Sequence, residues 1–500
     1  MQLISVQNPA ARRRQMLASA ILGLFTLFIP ATAAAGDELP RLEFKTIELK
    51  PFSGEPTEAE RGTLTVRERF GATGGKLLEL PVLRLKSRAA RPQTTVIHLV
   101  GGPGGSGLMA ARSRRQRLFD ALREVADVVT YDQRGAGEAR PALTCQERIV
   151  LPLDQPGDGH AQLQALLGIV RPCAQRLRGE GHDLAAYNTV ESAHDLDQLR
   201  AALGVEKITL WGTSYGTHLA LAYARLYPQR VERMVLAGVE GPDHTYKLPS
   251  DQERQLERIA EWVKSDPEVS RAIPDFVGLV REVLARVERS PVTTEVTVLG
   301  KNQKMPLTIG RWDLERITAE GIGRTRTAHN LPLFYWQMSQ GDFSRVAPLV
   351  RSQRSISVGG AMAYLMDVAS SASPERLARI RREAPERLLS DAINFPFPAI
   401  GAAWEVPELP ESFRAPLTSD VPTLLVSGTL DGRTPPTNAE EIRAGLTNAT
   451  HLLIENAGHD EDLFSESAEM RQRIVAFVQG KTVSAETISI PRPTLAWPGR

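Results

Sequence analysis

Short apolar segments alternate with helix-like segments along much of the chain, and this alternation constrains the fold more than any other feature. The predicted strands of this series are residues 95–100, 126–131, 207–211, 231–236, 423–426 and 451–454. The predicted helices are residues 113–124, 191–203, 215–226, 437–446 and 466–479. Strands that alternate with helices indicate an α/β fold with a mostly parallel central sheet that is covered on both faces. Before this series, residues 63–69 and 77–85 flank a glycine-rich turn and predict an antiparallel hairpin.

The alternation stops after Gly241-Pro242 and returns near residue 418. The intervening residues are helix-rich, charged and punctuated by proline. We therefore predict a core made of residues 36–241 and 418–480, a helical cap inserted at 242–417, and a loosely packed carboxyl-terminal extension at 481–500. An insertion before the last part of the sheet would cover the carboxyl ends of the strands, where open α/β sheets bind ligands.

The amino terminus has the pattern of an export signal. Arg12, Arg13 and Arg14 precede a mostly apolar, uncharged run at 16–30, and Ala33-Ala34-Ala35 supplies a small-residue cleavage site. We predict that residues 1–35 are a signal peptide cleaved near Ala35, and that the protein is periplasmic or secreted without stable membrane insertion afterwards. The alternative is a membrane anchor, but the apolar run is shorter than the ~20 residues that span a bilayer.

Charge and cysteine content limit the possible partners. Lys and Arg total 60 against 59 for Asp and Glu, so the net charge of +1 gives no basic surface for nucleic acid. The only cysteines, Cys145 and Cys173, would pair as a disulfide in an oxidising compartment, and the alternative is two buried thiols. Without suitably spaced histidines they do not make a zinc site, so we predict no metal and no cofactor.

The segment Gly212-Thr213-Ser214-Tyr215-Gly216 fits the G-x-S-x-G pattern. It directly follows a predicted strand and precedes a predicted helix, which is the setting of a nucleophile elbow. Such a tight turn exposes the Ser214 hydroxyl, while the two glycines leave room for the close crossing of strand and helix. The alternative is an ordinary glycine-flanked turn with a capping serine.

A serine nucleophile needs a base held in place by an acid, and in this setting the chain order is serine, acid, histidine. His459 follows the last strand of the series, so it would lie on the same sheet edge as Ser214. Asp431 follows the preceding strand, whereas Asp420 precedes that strand and would face the opposite end. Asp431 would fix the tautomer of His459. The alternative for Asp431 is a turn aspartate before glycine. The other downstream histidines are placed in helices, in the insertion or within a strand: His218, His244, His329 and His451.

The oxyanion of the reaction would need two donors. One is the backbone N–H of Tyr215, directly after the nucleophile, and the other is that of Gly102, in the glycine-rich loop at 101–107. This loop lacks the G-K-[ST] ending of a phosphate-binding loop, so it does not predict a nucleotide site.

Together these motifs resemble the α/β-hydrolase fold, and most closely the proline iminopeptidase and tripeptidyl aminopeptidase group of secreted serine exopeptidases. The similar segments are Gly101–Gly107, Asp132–Gly137, Gly212–Gly216, Gly428–Pro435 and Gly458-His459. The resemblance implies cleavage of short peptides from a free amino end, with Ser214, Asp431 and His459 as triad. It also implies that Arg134 braces the glycine-rich loop. Val100 departs from the pattern, because a histidine often stands there.

An exopeptidase of this kind must bind a charged α-amino group. Glu240, at a strand end, and Asp367, in the insertion, are the candidate carboxylates, and the alternative is that each is an ordinary ion-pair acid. We predict a secreted serine hydrolase that cleaves small peptides near a free amino terminus through an acyl-enzyme. The alternatives are a carboxylesterase or lipase with the same triad, and a non-catalytic binding protein on a hydrolase fold.

Overall fold

The computed structural model describes residues 42–297, 304–459, 463 and 466–500. The predicted signal peptide at 1–35 lies outside the described residues. Within the described part of the chain, no helix is long and apolar enough to cross a membrane.

The described strands fall into one large sheet and two small ones. Their bounds are β1 Lys45–Leu49, β2 Thr57–Arg67, β3 Leu77–Leu85, β4 Thr94–Leu99, β5 Ala126–Tyr131, β6 Thr144–Val150, β7 Ile208–Thr213, β8 Val231–Ala237, β9 Val292–Thr297, β10 Lys304–Ile309, β11 Ser355–Gly360, β12 Thr423–Gly428, β13 Ala449–Glu455 and β14 Ile488–Ser489. In the described residues the large sheet has ten strands in the order β1-β2-β3-β5-β4-β7-β8-β12-β13-β14. β1, β2, β3 and β5 pair antiparallel, and all pairs from β5 to β14 are parallel. The predicted hairpin and the mostly parallel sheet are confirmed.

Helices follow most of the parallel strands. Their bounds are α1 Gly107–Arg112, α2 Gln116–Leu122, α3 Gly159–Gly179, α4 Thr189–Ala202, α5 Tyr215–Leu226, α6 Pro249–Lys264, α7 Pro267–Ala272, α8 Phe276–Arg289, α9 Arg311–Gly321, α10 Thr325–Ala328, α11 Leu331–Ser339, α12 Ala347–Gln353, α13 Ala361–Ser370, α14 Pro374–Glu383, α15 Gly401–Trp404, α16 Glu411–Arg414, α17 Pro436–Arg443 and α18 Ala468–Val478. The helix predicted at 215–226 matches α5. The helix predicted at 113–124 is shorter in the structure: Ser113 caps the end of α1, and α2 begins only at Gln116.

Side chains alternate between the two faces of the sheet, as the period of two in a strand requires. In β4, Ile97 and Leu99 join a core with α4 and α5, while Val96 joins a core with α2 and α18 on the other face. The central strands are therefore buried on both sides, which explains their nearly continuous apolar sequences.

The segment predicted as a helical cap also contains strands. β9 and β10 pair antiparallel, and β11 pairs with β6, which lies before the insertion in the chain. The cap has its own apolar core, to which α6, α8, α9, α11 and α12 contribute. The strands were missed because β9 carries few apolar side chains: only Val292 and Val296 are hydrophobic, and of its residues only Val296 is buried.

The carboxyl-terminal tail is not loosely packed, and that expectation was wrong. Residues 488–489 add β14 to the sheet edge beside β13. Trp497 is buried with its ring centroid 5.1 Å from that of Trp336 in the cap, and Arg500 forms ion pairs with Asp266 and Glu268.

Cys145 of β6 and Cys173 of α3 are paired in the structure, with their Cα atoms 5.6 Å apart. Glu147 lies close to both sulphur atoms. Metal ions bind cysteine as the thiolate. Because both sulphur atoms are used in the disulfide, Cys145, Glu147 and Cys173 do not supply the thiolate ligands that a metal site would need.

A buried ion pair connects the loop after β5 to α4. Arg134 donates from Nε and from Nη2 to the two carboxylate oxygens of Asp195, at 2.7 Å each, and both side chains are essentially inaccessible to solvent. Arg134 also donates to the carbonyls of Glu68 and Ala186. It therefore braces the β2–β3 turn and the segment before α4, and the expectation that it braces the glycine-rich loop is wrong.

Replacing Arg134 with methionine should lower the free energy of unfolding by about 3–5 kcal/mol, because Asp195 would remain buried without its partner. Denaturant titration measures this effect. Arg171→Met, at an exposed position of α3, is the control and should unfold like the wild type. Equal stability of Arg134→Met and this control would contradict the structural role of the pair.

Candidate active site

Ser214 alone connects β7 to α5. Its φ of 53° and ψ of −126° lie in a region that non-glycine residues rarely adopt, as a nucleophile elbow requires. A Cβ at position 216 would lie 1.9 Å from the carbonyl oxygen of Leu99, and one at position 212 would lie 2.6 Å from that of Gly216. Only glycine fits at either position, so the predicted close crossing of strand and helix is present.

Ser214, His459 and Asp431 lie at one edge of the sheet and form a continuous hydrogen-bonded chain. His459 Nε2 is 3.0 Å from Ser214 Oγ, and its Nδ1 is 2.8 Å from Asp431 Oδ2. The parallel strands β7, β12 and β13 end at the same edge, so the residues that follow them meet although they are far apart in sequence. This is the geometry that a nucleophile, a base and an orienting acid need.

The carboxylate of Asp431 is fully buried and fully hydrogen-bonded. It accepts from the backbone N–H groups of Arg433 and Thr434 at 2.8 Å each and from the Thr434 hydroxyl at 2.7 Å. Burial alone would raise the pKa of Asp431, but His459 and these hydrogen bonds outweigh it, and the pKa lies below its ordinary value. The acid therefore stays charged beside the imidazole.

Thr434 belongs to this arrangement and was missed in the sequence analysis. Its Oγ1 is also 3.0 Å from His459 Nδ1, so the hydroxyl sits between the acid and the base. The signal that was available is local: a hydroxyl residue three positions after an aspartate, in a short loop, often hydrogen-bonds to that side chain.

The glycine-rich loop lies directly against the nucleophile turn. A Cβ on Gly101 would be 2.6 Å from the carbonyl oxygen of Thr213 and 2.8 Å from Ser214 Cβ. Gly102, with φ of +134°, follows in a conformation that favours glycine. Gly101 is thus the residue in contact with the nucleophile turn, and Gly102 lines the same cavity as Ser214.

Asp132, rather than Arg134, braces this loop. Its Oδ1 accepts from the Ser106 hydroxyl at 2.7 Å and from the backbone N–H of Leu108 at 3.2 Å, while Oδ2 accepts from Glu138 N–H at 2.8 Å. Two of the five segments that carry the resemblance, Gly101–Gly107 and Asp132–Gly137, are therefore joined through this carboxylate.

A cavity of about 660 Å³ opens over Ser214 and His459. The cap contributes much of its wall, including Tyr246, Phe395 and Phe397. A ligand at Ser214 would thus contact both the core and the cap.

Cap residues also hold the loops that carry the acid and the base. Gln255 Nε2 of α6 donates to the carbonyl of Leu430 at 2.7 Å, and Gln252 Nε2 donates to that of Gly432 at 2.8 Å. The backbone N–H of His459 donates to the carbonyl of Gly323 at 3.1 Å. The positions of Asp431 and His459 therefore depend on the packing of the cap.

The structure separates the two candidate amine-binding carboxylates. Glu240 is buried and accepts from Lys247 Nζ at 2.6 Å. Burial would raise its pKa, but Lys247 and neighbouring histidines lower it below its ordinary value. Glu240 is thus an ion-paired acid, as the alternative in the sequence analysis has it.

Asp367 of α13 lines the cavity instead. Its carboxylate accepts no hydrogen bond from the described residues. Burial, reinforced by the charge of Glu240, raises the pKa of Asp367 well above its usual range. A cationic group in the cavity would relieve this unfavourable burial.

Comparison with known proteins places both halves of the site in recognised sequence families. Residues 94–279 match the alpha/beta hydrolase fold family, and residues 398–488 match the TAP-like protein family. The first segment contains Ser214 and the glycine-rich loop, and the second contains Asp431 and His459.

Three relatives illustrate the range of similarity. The serine protease Hip1 of Mycobacterium tuberculosis is 35% identical over 196 residues, which is 38% of this chain and 37% of Hip1. The tripeptidyl aminopeptidase of Streptomyces lividans is 32% identical over 223 residues, or 41% of each chain. The putative hydrolase YuaR of Escherichia coli is 26% identical over 481 residues, covering 87% of this chain and 89% of YuaR. The matched segments span less than half the length of the first two relatives.

Proposed function

We propose that this chain, which has an α/β-hydrolase fold, is a serine peptidase that cleaves short peptides near their free amino end. Ser214 Oγ attacks the scissile carbonyl, and His459 takes its proton and then gives it to the leaving amine. Asp431 keeps the imidazole in the right tautomer and stabilises its charged form. Water, activated by the same histidine, releases the acyl group. The observation that carries this proposal is the hydrogen-bonded chain with distances of 3.0 and 2.8 Å.

The oxyanion of the tetrahedral intermediate is bound by the backbone N–H groups of Gly102 and Tyr215. The support is that Gly102 lines the same cavity as Ser214, directly after Gly101, which packs on Ser214, and that Tyr215 opens α5 directly after Ser214. Donors fixed in the backbone need no reorganisation as the charge develops, which is why such sites lower the barrier.

Asp367 anchors the α-ammonium group of the substrate. Its carboxylate faces the cavity that contains Ser214 and has no hydrogen-bond donor among the described residues. Without a partner the carboxyl favours its neutral form, and an incoming ammonium group would favour the charged form and pair with it. Glu240 is already paired with Lys247 and leaves the ammonium group to Asp367.

The enzyme should cleave peptidyl amide dyes that have a free amino end and should cleave the N-acetylated forms of the same dyes much more slowly. Asp367→Asn should raise KM for the free-amine substrate by about 10-fold or more, because a hydrogen bond between two charged groups is lost. Steady-state kinetics on the matched pair of dyes measure both effects. Asp420→Asn, at an exposed position before β12, serves as the control.

Equal cleavage of free and acetylated dyes would contradict recognition of the amino end. A short-chain nitrophenyl ester is assayed alongside, since the same triad also fits an esterase or lipase. Cleavage of the ester and of none of the amides would replace the peptidase with an esterase.

The protein acts outside the cytoplasm, after removal of residues 1–35. The apolar run behind three arginines and the alanines before Gly36 support this proposal. The pairing of Cys145 with Cys173 supports it independently, because disulfides persist in oxidising compartments.

A further inference from the structure

Two cationic side chains around the cavity are each neutralised by a neighbouring carboxylate. Lys247 lies 2.6 Å from a carboxylate oxygen of Glu240, and Arg316 lies 2.8 Å from one of Glu320. Because each of these cations is already paired, the two ion pairs offer little net charge to a ligand.

Arg433 differs from these cations. It lines the same cavity, and its guanidinium has neither a hydrogen bond nor an ion pair with any described residue. Arg433 is partly buried, and a guanidinium group presents several donors in a fixed planar fork, so this side chain without an acceptor is an unused binding group.

The backbone and the stem of Arg433 are fixed, which leaves its charged end for a ligand. The backbone N–H donates to Asp431 at 2.8 Å, so the residue shares the loop of the triad acid. The aliphatic stem packs on Gly323 of the cap, where a Cβ would lie only 2.6 Å from Arg433 Cγ. Burial, and then the nearby Arg324, lower the pKa of Arg433, yet an arginine side chain keeps its charge in proteins.

We propose that Arg433 binds a carboxylate group of the substrate, so that the preferred substrates are short peptides carrying both a free amine and a carboxylate close to the scissile bond. This inference rests on the proposed function and names its substrate class. Asp367 and Arg433 line one cavity and are not paired with each other, so a zwitterionic ligand satisfies both. A carboxylate accepts two parallel hydrogen bonds from a guanidinium, the geometry that makes such pairs strong.

The carboxylate has two possible sources, an acidic side chain or the carboxyl end of a very short peptide. Two sets of matched free-amine peptides separate these sources. In the first set, the peptides carry either Glu or Gln at each position around the scissile bond. In the second set, the carboxyl terminus of the peptide is either a free acid or an amide. We expect kcat/KM for the acidic member of one pair to exceed that for the neutral member by about 10-fold or more. The pair that responds identifies the source.

Arg433→Gln should abolish this preference, mainly through KM, and Arg433→Lys should restore part of it because the charge returns without the fork. Arg171→Gln, on the exposed face of α3, should keep the full preference. Thermal unfolding of each variant verifies that it is folded. A wild type without acid preference, or a preference that persists in folded Arg433→Gln, overturns the inference.

Two nitrophenyl esters whose acyl chains end in a carboxylate or in a carboxamide test Arg433 without a peptide bond. The wild type could prefer the carboxylate ester, lose this preference in Arg433→Gln and cleave no peptide. That result would contradict the proposed function and support the role of Arg433. Cleavage of neutral peptides with no acid preference in either series would retain the proposed function and overturn only this inference.

Discussion

Ser214→Ala should lower the turnover number for a free-amine peptidyl amide by about 10⁶-fold, the loss found when the nucleophile of a serine protease triad is removed. The alanine has no hydroxyl, so neither attack on the carbonyl nor transfer of a proton to His459 Nε2 is available. The 3.0 Å contact between these side chains is the interaction that would be lost. Single-turnover and steady-state assays at saturating substrate measure the effect.

The fold should tolerate this change, because alanine is smaller and the backbone at position 214 is already held by its neighbours. Ser290→Ala, at an exposed helix end, is the matched control and should retain wild-type turnover. A Ser214→Ala protein with turnover near that of the wild type would exclude Ser214 as the nucleophile.

Asp431→Asn should lower turnover by about 10⁴-fold while leaving the substrate KM nearly unchanged. The amide can place an N–H against His459 Nδ1, where the carboxylate only accepts, and the imidazole then presents its proton rather than its lone pair to Ser214. The 2.8 Å contact and the lowered pKa of Asp431 both indicate that a charged acceptor occupies this position in the wild type.

Asp431→Asn and Asp420→Asn are compared in the same assay, since the second change removes an equal charge from the surface. Thermal unfolding separates a change of tautomer from a loss of structure. A folded Asp431→Asn enzyme with full turnover would contradict the assigned role of the acid.

The features that the sequence predicts well are those encoded locally or in chain order. The apolar run before Ser214, the glycines around it and the helical spacing after it lie within about 20 residues, and β7 and α5 match the prediction. The proximity of Ser214, Asp431 and His459 follows from their chain order and from their positions after the parallel strands β7, β12 and β13. Neither inference needs a long-range contact.

The features that the sequence does not predict depend on contacts between distant segments. Gln255 supports the loop of Asp431 by a hydrogen bond to a residue 175 positions away. Whether Glu240 or Asp367 faces the cavity depends on where Lys247 lies, and the partner of Arg134 is set by the position of α4. Propensity and spacing carry no information on such pairings.

Every catalytic role proposed here depends on attack by Ser214, and covalent labelling identifies the attacking residue itself. The mature protein is treated with a fluorophosphonate probe, digested and analysed by mass spectrometry, with and without a free-amine peptide as competitor. We expect one modified peptide, labelled at Ser214. The competitor should slow its formation, and Ser214→Ala should not form it. Labelling at another residue, or active enzyme that the probe leaves unmodified, would contradict it.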